Sequence, residues 1–171
     1  MSENEIPANI REIVDRLADP KERDGALAAL DALGPAALPA VREGLGHGKW
    51  EVRRWCALYF DRHADPGSLH LLVPLLRDPK SKVRLFAVHS ISCEHCKPGT
   101  SPIDVVPLLI ERIEDDDSIR VRRMATASLA YGTPDSRAVA VFRRLVKSET
   151  DRKLRLHASI GLHRCREAGL T

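Results

Sequence analysis

The chain has 171 residues, 43% hydrophobic and 30% charged, with only 4% aromatic and a formal net charge of +3. That length suits one domain or two small ones, the apolar share excludes disorder, and no run approaches the roughly 18 to 20 apolar residues of a membrane span. The charge is uneven: residues 1–50 carry six basic and nine acidic groups, residues 51–171 carry 21 and 15, so an acidic partner is expected on the later part.

Period-two strand patterns are absent, and short helical patterns are punctuated by Gly, Pro and Asp. The spacing predicts helices over 7–18, 21–33, 35–45, 50–63, 67–77, 80–94, 102–114, 118–131, 135–147 and 151–167. Gly34, Gly46 and Gly132 stand where helices should stop, and Asp117 or Ser118, Asp135 and Asp151 can cap the helix that follows.

The even-numbered helices share a register. Val52-Arg53, Val83-Arg84, Val121-Arg122 and Leu154-Arg155 are each followed four residues on by a small residue (Cys56, Ala87, Ala125, Ala158). A large one stands eight on (Phe60, Ile91, Leu129, Leu162). Positions i, i+4 and i+8 share one helix face. The small residue admits a neighbouring helix and the large one fills the space beyond. Three odd-numbered helices contain Leu38-Pro39, Val73-Pro74 and Val106-Pro107, which reads as a built-in bend. One hairpin cannot bury its apolar side, so stacking must do it.

The run Asp78…Val83-Arg84…Ala87…Ile91 and its successor Asp116…Val121-Arg122…Ala125…Leu129 resemble the HEAT-repeat family, including short bacterial proteins with phycobilisome-lyase-like repeats. Other copies depart: Gly48 stands where an aspartate is expected, four before Val52, and Leu154 follows Asp151 by three. Residues 21–33 read as a degenerate copy with Asp24, Ala28 and Ala32 in register. The resemblance covers residues 20–167. It implies an all-α, right-handed alpha-alpha superhelix of about five hairpins, one domain over 1–171. Residues 1–18 would be its N-terminal cap and 151–171 its closing helix, with Arg152, Arg164, Arg166 and Glu167 facing solvent. It also implies a structural ladder in which Arg53, Arg84, Arg122 and Arg155 pair with aspartates of neighbouring turns such as Asp78 and Asp116.

The function expected is a non-enzymatic scaffold or adaptor that binds a protein through its curved surface. Arg54, Leu85, His89, Arg120, Arg123, Lys82 and Lys153 are the candidate binding residues. The same basic groups open second helices, so a nucleic-acid-binding ridge is a less favoured alternative. Trp50, Trp55, Tyr59 and Phe60 gather the rings on one helix beside Glu51 and Asp61. HEAT-like DNA glycosylases use aromatic-lined clefts, but the bulk at Trp55 recurs at Phe86, Met124 and His157, which points to packing.

The segment His89-Ser-Ile-Ser-Cys93-Glu-His95-Cys96 supplies the other alternative, a metal- or thiol-dependent sensor or enzyme site. His89, Cys93 and Cys96 at i, i+4 and i+7 lie along one helix side, and zinc accepts thiolate and imidazole ligands. A Cys-x-x-Cys pair can also cycle redox states. Zinc is the one cofactor the sequence suggests, and otherwise none is expected. Without a secretory segment at the start, Cys56 and Cys165 read as buried thiols in a cytoplasmic protein, a monomer or weak homodimer away from membranes.

Overall fold

The computed structural model describes residues 7–63, 66–94 and 102–170. Those residues hold nine α-helices and no strand: α1 (Ala8–Asp15), α2 (Arg23–Leu33), α3 (Leu38–Gly44), α4 (Trp50–Arg62), α5 (Ser81–Ser92), α6 (Val105–Asp115), α7 (Ile119–Tyr131), α8 (Val139–Ser148) and α9 (Arg152–Glu167). Contacts divide the chain into two compact units, Met1–Ala87 and Val88–Thr171, with the division inside α5. Within each unit, helices far apart in sequence lie side by side, more tightly than in a simple open solenoid.

All twelve repeat positions are buried, from Val52, Cys56 and Phe60 to Leu154, Ala158 and Leu162. In the first unit, α1 and α4 both pack on α3. A Cβ on Gly44 of α3 would stand 2.5 Å from Cys56 Sγ and 3.0 Å from Val14 Cγ1, so these helices touch through missing side chains. In the second unit α6 lies on α7, and α7 and α8 both lie on α9. Asp104 and Asp151 cap α6 and α9 by accepting backbone N–H bonds; Asp135 does the same for the 3₁₀ turn Ser136–Ala138.

Several expectations need correction. The helix expected over 67–77 consists of two 3₁₀ pieces, Pro66–Leu72 and Pro74–Arg77. The recurring prolines stand in the first turns of their helical pieces: Pro39 is second in α3, Pro74 first in its 3₁₀ turn and Pro107 third in α6. A missing N–H costs little in the first turn of a helical piece. In α2 the buried residues are Ala26 and Leu30, whereas Asp24, Ala28 and Ala32 are exposed. The register read into residues 21–33 was therefore wrong. Ser118 makes no side-chain cap; Asp116 instead accepts from the Ser118 N–H.

The arginine beside each anchor also ties the turn before its own helix. Arg53, Arg84, Arg122 and Arg155 each donate through Nη1 to the backbone carbonyl six residues earlier, at His47 (2.8 Å), Asp78 (2.9 Å), Asp116 (3.5 Å) and Glu149 (2.9 Å). The side chain at that earlier position accepts the N–H two residues on. His47 Nδ1 takes Lys49 N (3.0 Å), Asp78 takes Lys80 N (2.8 Å), Asp116 takes Ser118 N (2.9 Å) and Glu149 takes Asp151 N (3.0 Å). One turn is thus tied the same way four times, twice in each unit. A carboxylate or a neutral imidazole serves equally as acceptor. The position lies five residues before the anchor, so His47, and not Gly48, is the counterpart of the aspartates. Arg53 also pairs with an aspartate of a later turn, reaching Asp78 at 2.7 Å with both side chains largely buried. In the second unit that link falls to Arg123, which binds Asp151.

Candidate functional site beside the end of α5

His89 and Cys93 stand four residues apart at the end of α5, on one side of the helix. The Cys93 N–H donates to the His89 carbonyl at 2.9 Å, which holds Cys93 in helical register. A ring nitrogen of His89 and the Cys93 sulfur lie within 4.8 Å of each other, and both side chains are half-buried. They border a cleft of about 200 Å³ that continues over Glu94, Met124, Ser128 and Tyr131.

Local hydrogen bonds explain why the walls stand there. Ser92 Oγ donates to the Val88 carbonyl at 2.6 Å and meets Ser128 Oγ at 2.8 Å, which ties the end of α5 to α7. The two oxygens of Glu94 accept from the backbone N–H and the hydroxyl of Thr133, at 3.0 and 3.1 Å. Gly132 makes this fit: a Cβ there would approach the Ser128 carbonyl to 2.9 Å and Glu94 Oε1 to 3.2 Å. Arg164 of α9 donates to the carbonyls of Ala130 and Gly132, at 2.6 and 2.8 Å, satisfying the end of α7. That role draws Arg164 out of the solvent-facing set expected of the last helix.

Tyr131 is 57% exposed and meets the His157 ring edge-on at 5.7 Å. His157 Nδ1 is buried with no hydrogen-bond partner among the described residues. Burial, and then the charge of Lys153, lower its pKa below the usual histidine value. Chemically, the cleft offers a thiol, an imidazole near it, a carboxylate already engaged by Thr133, and an apolar wall of Met124 and Tyr131. A neutral imidazole can take a thiol proton, and the resulting thiolate is both a nucleophile and a soft metal ligand.

Cys96, expected to complete this site, lies outside the described residues, as does His95. The remaining candidates are dispersed. Arg54 packs on the rings of Trp55 and Phe86, and Lys82 lies 5.0 Å from the centre of the Trp50 ring. Leu85 is half-buried, Arg123 is held by Asp151, and Arg120 and Lys153 are exposed. Tyr59 is buried, and its hydroxyl donates to the Leu30 carbonyl at 3.3 Å. None of the described helices is long and apolar enough to cross a membrane.

Sequence reasoning missed Met124, Ser128 and Tyr131. Their signal was available: they stand three, seven and ten residues after Val121, on the face beside the buried i, i+4, i+8 stripe. Glu94 carried no signal, because only its bond to Thr133 makes it a wall.

A comparison with family models places the first part of the chain. Residues 8–92 match a family described as HEAT repeats. They form an N-terminal HEAT-repeat domain. The HEAT match stops at Ser92, the last residue of α5, and so covers α1 to α5 but not α6 to α9. No curated protein matches the chain.

Proposed function

We propose that this helical-repeat chain carries a metal- or thiol-dependent sensor or enzyme site at the end of α5, headed by His89 and Cys93. The observation that carries the reading is the approach of a His89 ring nitrogen and the Cys93 sulfur to within 4.8 Å beside a cleft. Two ligands bound tetrahedrally to one zinc, at bond lengths of about 2.0 and 2.3 Å, stand roughly 3.5 Å apart. A small side-chain rotation therefore suffices. Cys96 is the third ligand in this proposal, with the fourth position left to water or substrate.

Metal analysis of protein purified without a metal-affinity tag tests it. About one zinc per chain, lost in the Cys93→Ala/Cys96→Ala double variant, is the expected result. Zinc-free protein after expression in zinc-supplemented medium overturns the metal version. For the thiol version, alkylation of Cys93 by iodoacetamide should slow in His89→Ala. Unchanged rates across pH would remove the imidazole from the chemistry.

A second reading is the non-enzymatic adaptor, with which the helical-repeat fold is compatible. Its support is apolar surface in the second unit: Leu156 is 56% exposed and Tyr131 57%. Leu156 stands two residues after its anchor, the position held by Arg54, Leu85 and Arg123 in the other copies. A nucleic-acid ridge has less support, because Arg123 and Lys82 are engaged by Asp151 and Trp50. We further propose that the repeat extends beyond the matched segment to residue 167. The support is the fourfold turn, whose last two copies fall at 116–122 and 149–155.

A further inference from the structure

In the first unit two arginines share one indole ring. The guanidinium carbon of Arg23 lies 4.8 Å from the centre of the Trp55 ring, and that of Arg54 lies 4.5 Å from it. Arg54 is wedged further, 4.6 Å from the centre of Phe86, whose ring lies 6.2 Å from Trp55. The two positive charges are therefore at most about 9 Å apart. Among the described residues neither has a carboxylate at ion-pair distance. Arg23 makes only a long bond, 3.5 Å, to the Leu17 carbonyl, and the Nε of Arg54 is buried with no acceptor.

This is a costly arrangement for a protein surface. Like charges repel, a buried N–H without an acceptor forfeits its solvation, and the ring faces return only part of that. Burial and the nearby Arg23 charge both lower the Arg54 pKa, which reports the same cost. Several arginines elsewhere on this chain are neutralised by carboxylates: Arg53 by Asp78, Arg112 by Glu111 and Asp116, Arg123 by Asp151, Arg137 by Asp104 and Asp135. The pair at Trp55 departs from that habit, on half-buried rings that a ligand can reach.

We propose that Arg23, Arg54, Trp55 and Phe86 form a docking site for an acidic peptide segment of a partner protein, with one carboxylate taken by each guanidinium. Bidentate pairing through the terminal nitrogens would neutralise both guanidinium charges, Arg54 Nε itself being buried. In an extended peptide, side chains at i and i+2 project to one side about 7 Å apart, which matches two charges within 9 Å. A short acidic segment fits better than a nucleic acid. Residues 1–87 hold 13 basic and 13 acidic groups, so this unit presents no net field to a polyanion, only a local pair of cations. The site gives the adaptor reading a partner chemistry and rests on that reading, but not on the His89–Cys93 cleft.

The test uses the full chain and fluorescein-labelled octaglutamate, with octaglutamine and an oligothymidylate of equal length as the comparison probes. Anisotropy should show octaglutamate binding that falls about tenfold or more in Arg23→Gln/Arg54→Gln and stays unchanged in Arg143→Gln, an exposed arginine of the other unit. Arg23→Lys/Arg54→Lys keeps the charge without the fork and should lose an intermediate amount. In a Trp50→Phe chain, where Trp55 is the only indole, octaglutamate should shift the emission. Thermal melts of each variant show that folding is retained. Four results would overturn the proposal: no octaglutamate binding, equal binding of octaglutamine, tighter binding of the oligothymidylate at the same arginines, or binding indifferent to the double substitution. Any of these removes this site; failure of the whole adaptor reading would instead appear as no partner recovered by the full chain in a pull-down.

Discussion

Gly161→Ala tests how tightly the second unit is packed. Gly161 lies inside α9, where alanine would normally favour the helix by about 1 kcal/mol. Here the added Cβ would stand 2.5 Å from two carbons of the Phe142 ring and 3.0 Å from a third. Ordinary carbon contacts are about 3.5 to 4.0 Å, so the ring must retreat by about 1 Å. Phe142 has no accessible surface, so its ring can retreat only by displacing packed neighbours. Overpacking of this kind costs about 1 to 3 kcal/mol, which offsets and exceeds the helical gain and leaves a net loss near 1 kcal/mol. For a chain of this size the melting temperature should fall by about 2 to 4 °C. The assay is urea unfolding followed by far-ultraviolet circular dichroism, because both tryptophans lie in the other unit. The sharper measurement is the cycle with Phe142→Leu, which removes the clash. In that background Gly161→Ala should be neutral or stabilising by up to about 1 kcal/mol. Equal losses in both backgrounds, or a gain in the parent chain, would refute the reasoning.

Val121 is fully buried at its anchor position, so Val121→Asp should lose helical circular dichroism from the second unit, at a cost above about 4 kcal/mol. Arg120→Asp, one residue away and exposed, should stay within about 0.5 kcal/mol of the parent chain. If the two behave alike, the register is wrong. His157 gives a pH dependence. Its folded pKa is depressed, by burial first and Lys153 second. The unfolded chain therefore takes up a proton near pH 6.5 that the folded chain resists. Stability from this site is complete above about pH 6.5 and declines as the pH falls below it. His157→Leu should flatten that slope in urea titrations between about pH 7 and pH 5; an unaltered slope would show that the imidazole is not responsible.

The site was only partly legible. His89 and Cys93 stood out because i and i+4 share a helix side whatever surrounds them. Their walls did not, since Glu94 acquires its place from Thr133, thirty-nine residues on, and Arg23 belongs to a helix whose register was misread. In α2 the alanines at 28 and 32 imitate a buried stripe, yet Ala26 and Leu30 are the buried pair. Alanine suits exposed and buried helix positions alike, so it carries little register information.

The amino-acid sequence determined by itself that the chain is helical, where most helices begin and end, and that Val52, Val83, Val121 and Leu154 anchor a buried stripe. Those properties follow from helix pitch, caps and side-chain size, all of which act within about ten residues. Tertiary structure decided the rest. Segment 67–77 became two 3₁₀ pieces. The anchor arginines turned to carbonyls six residues back, and Arg53 also reached Asp78. Gly161 yielded its space to Phe142, and two unneutralised arginines came to share Trp55. Each of these depends on which distant group arrives at the same point. Helical periodicity narrows that choice to a face and leaves the partner to packing.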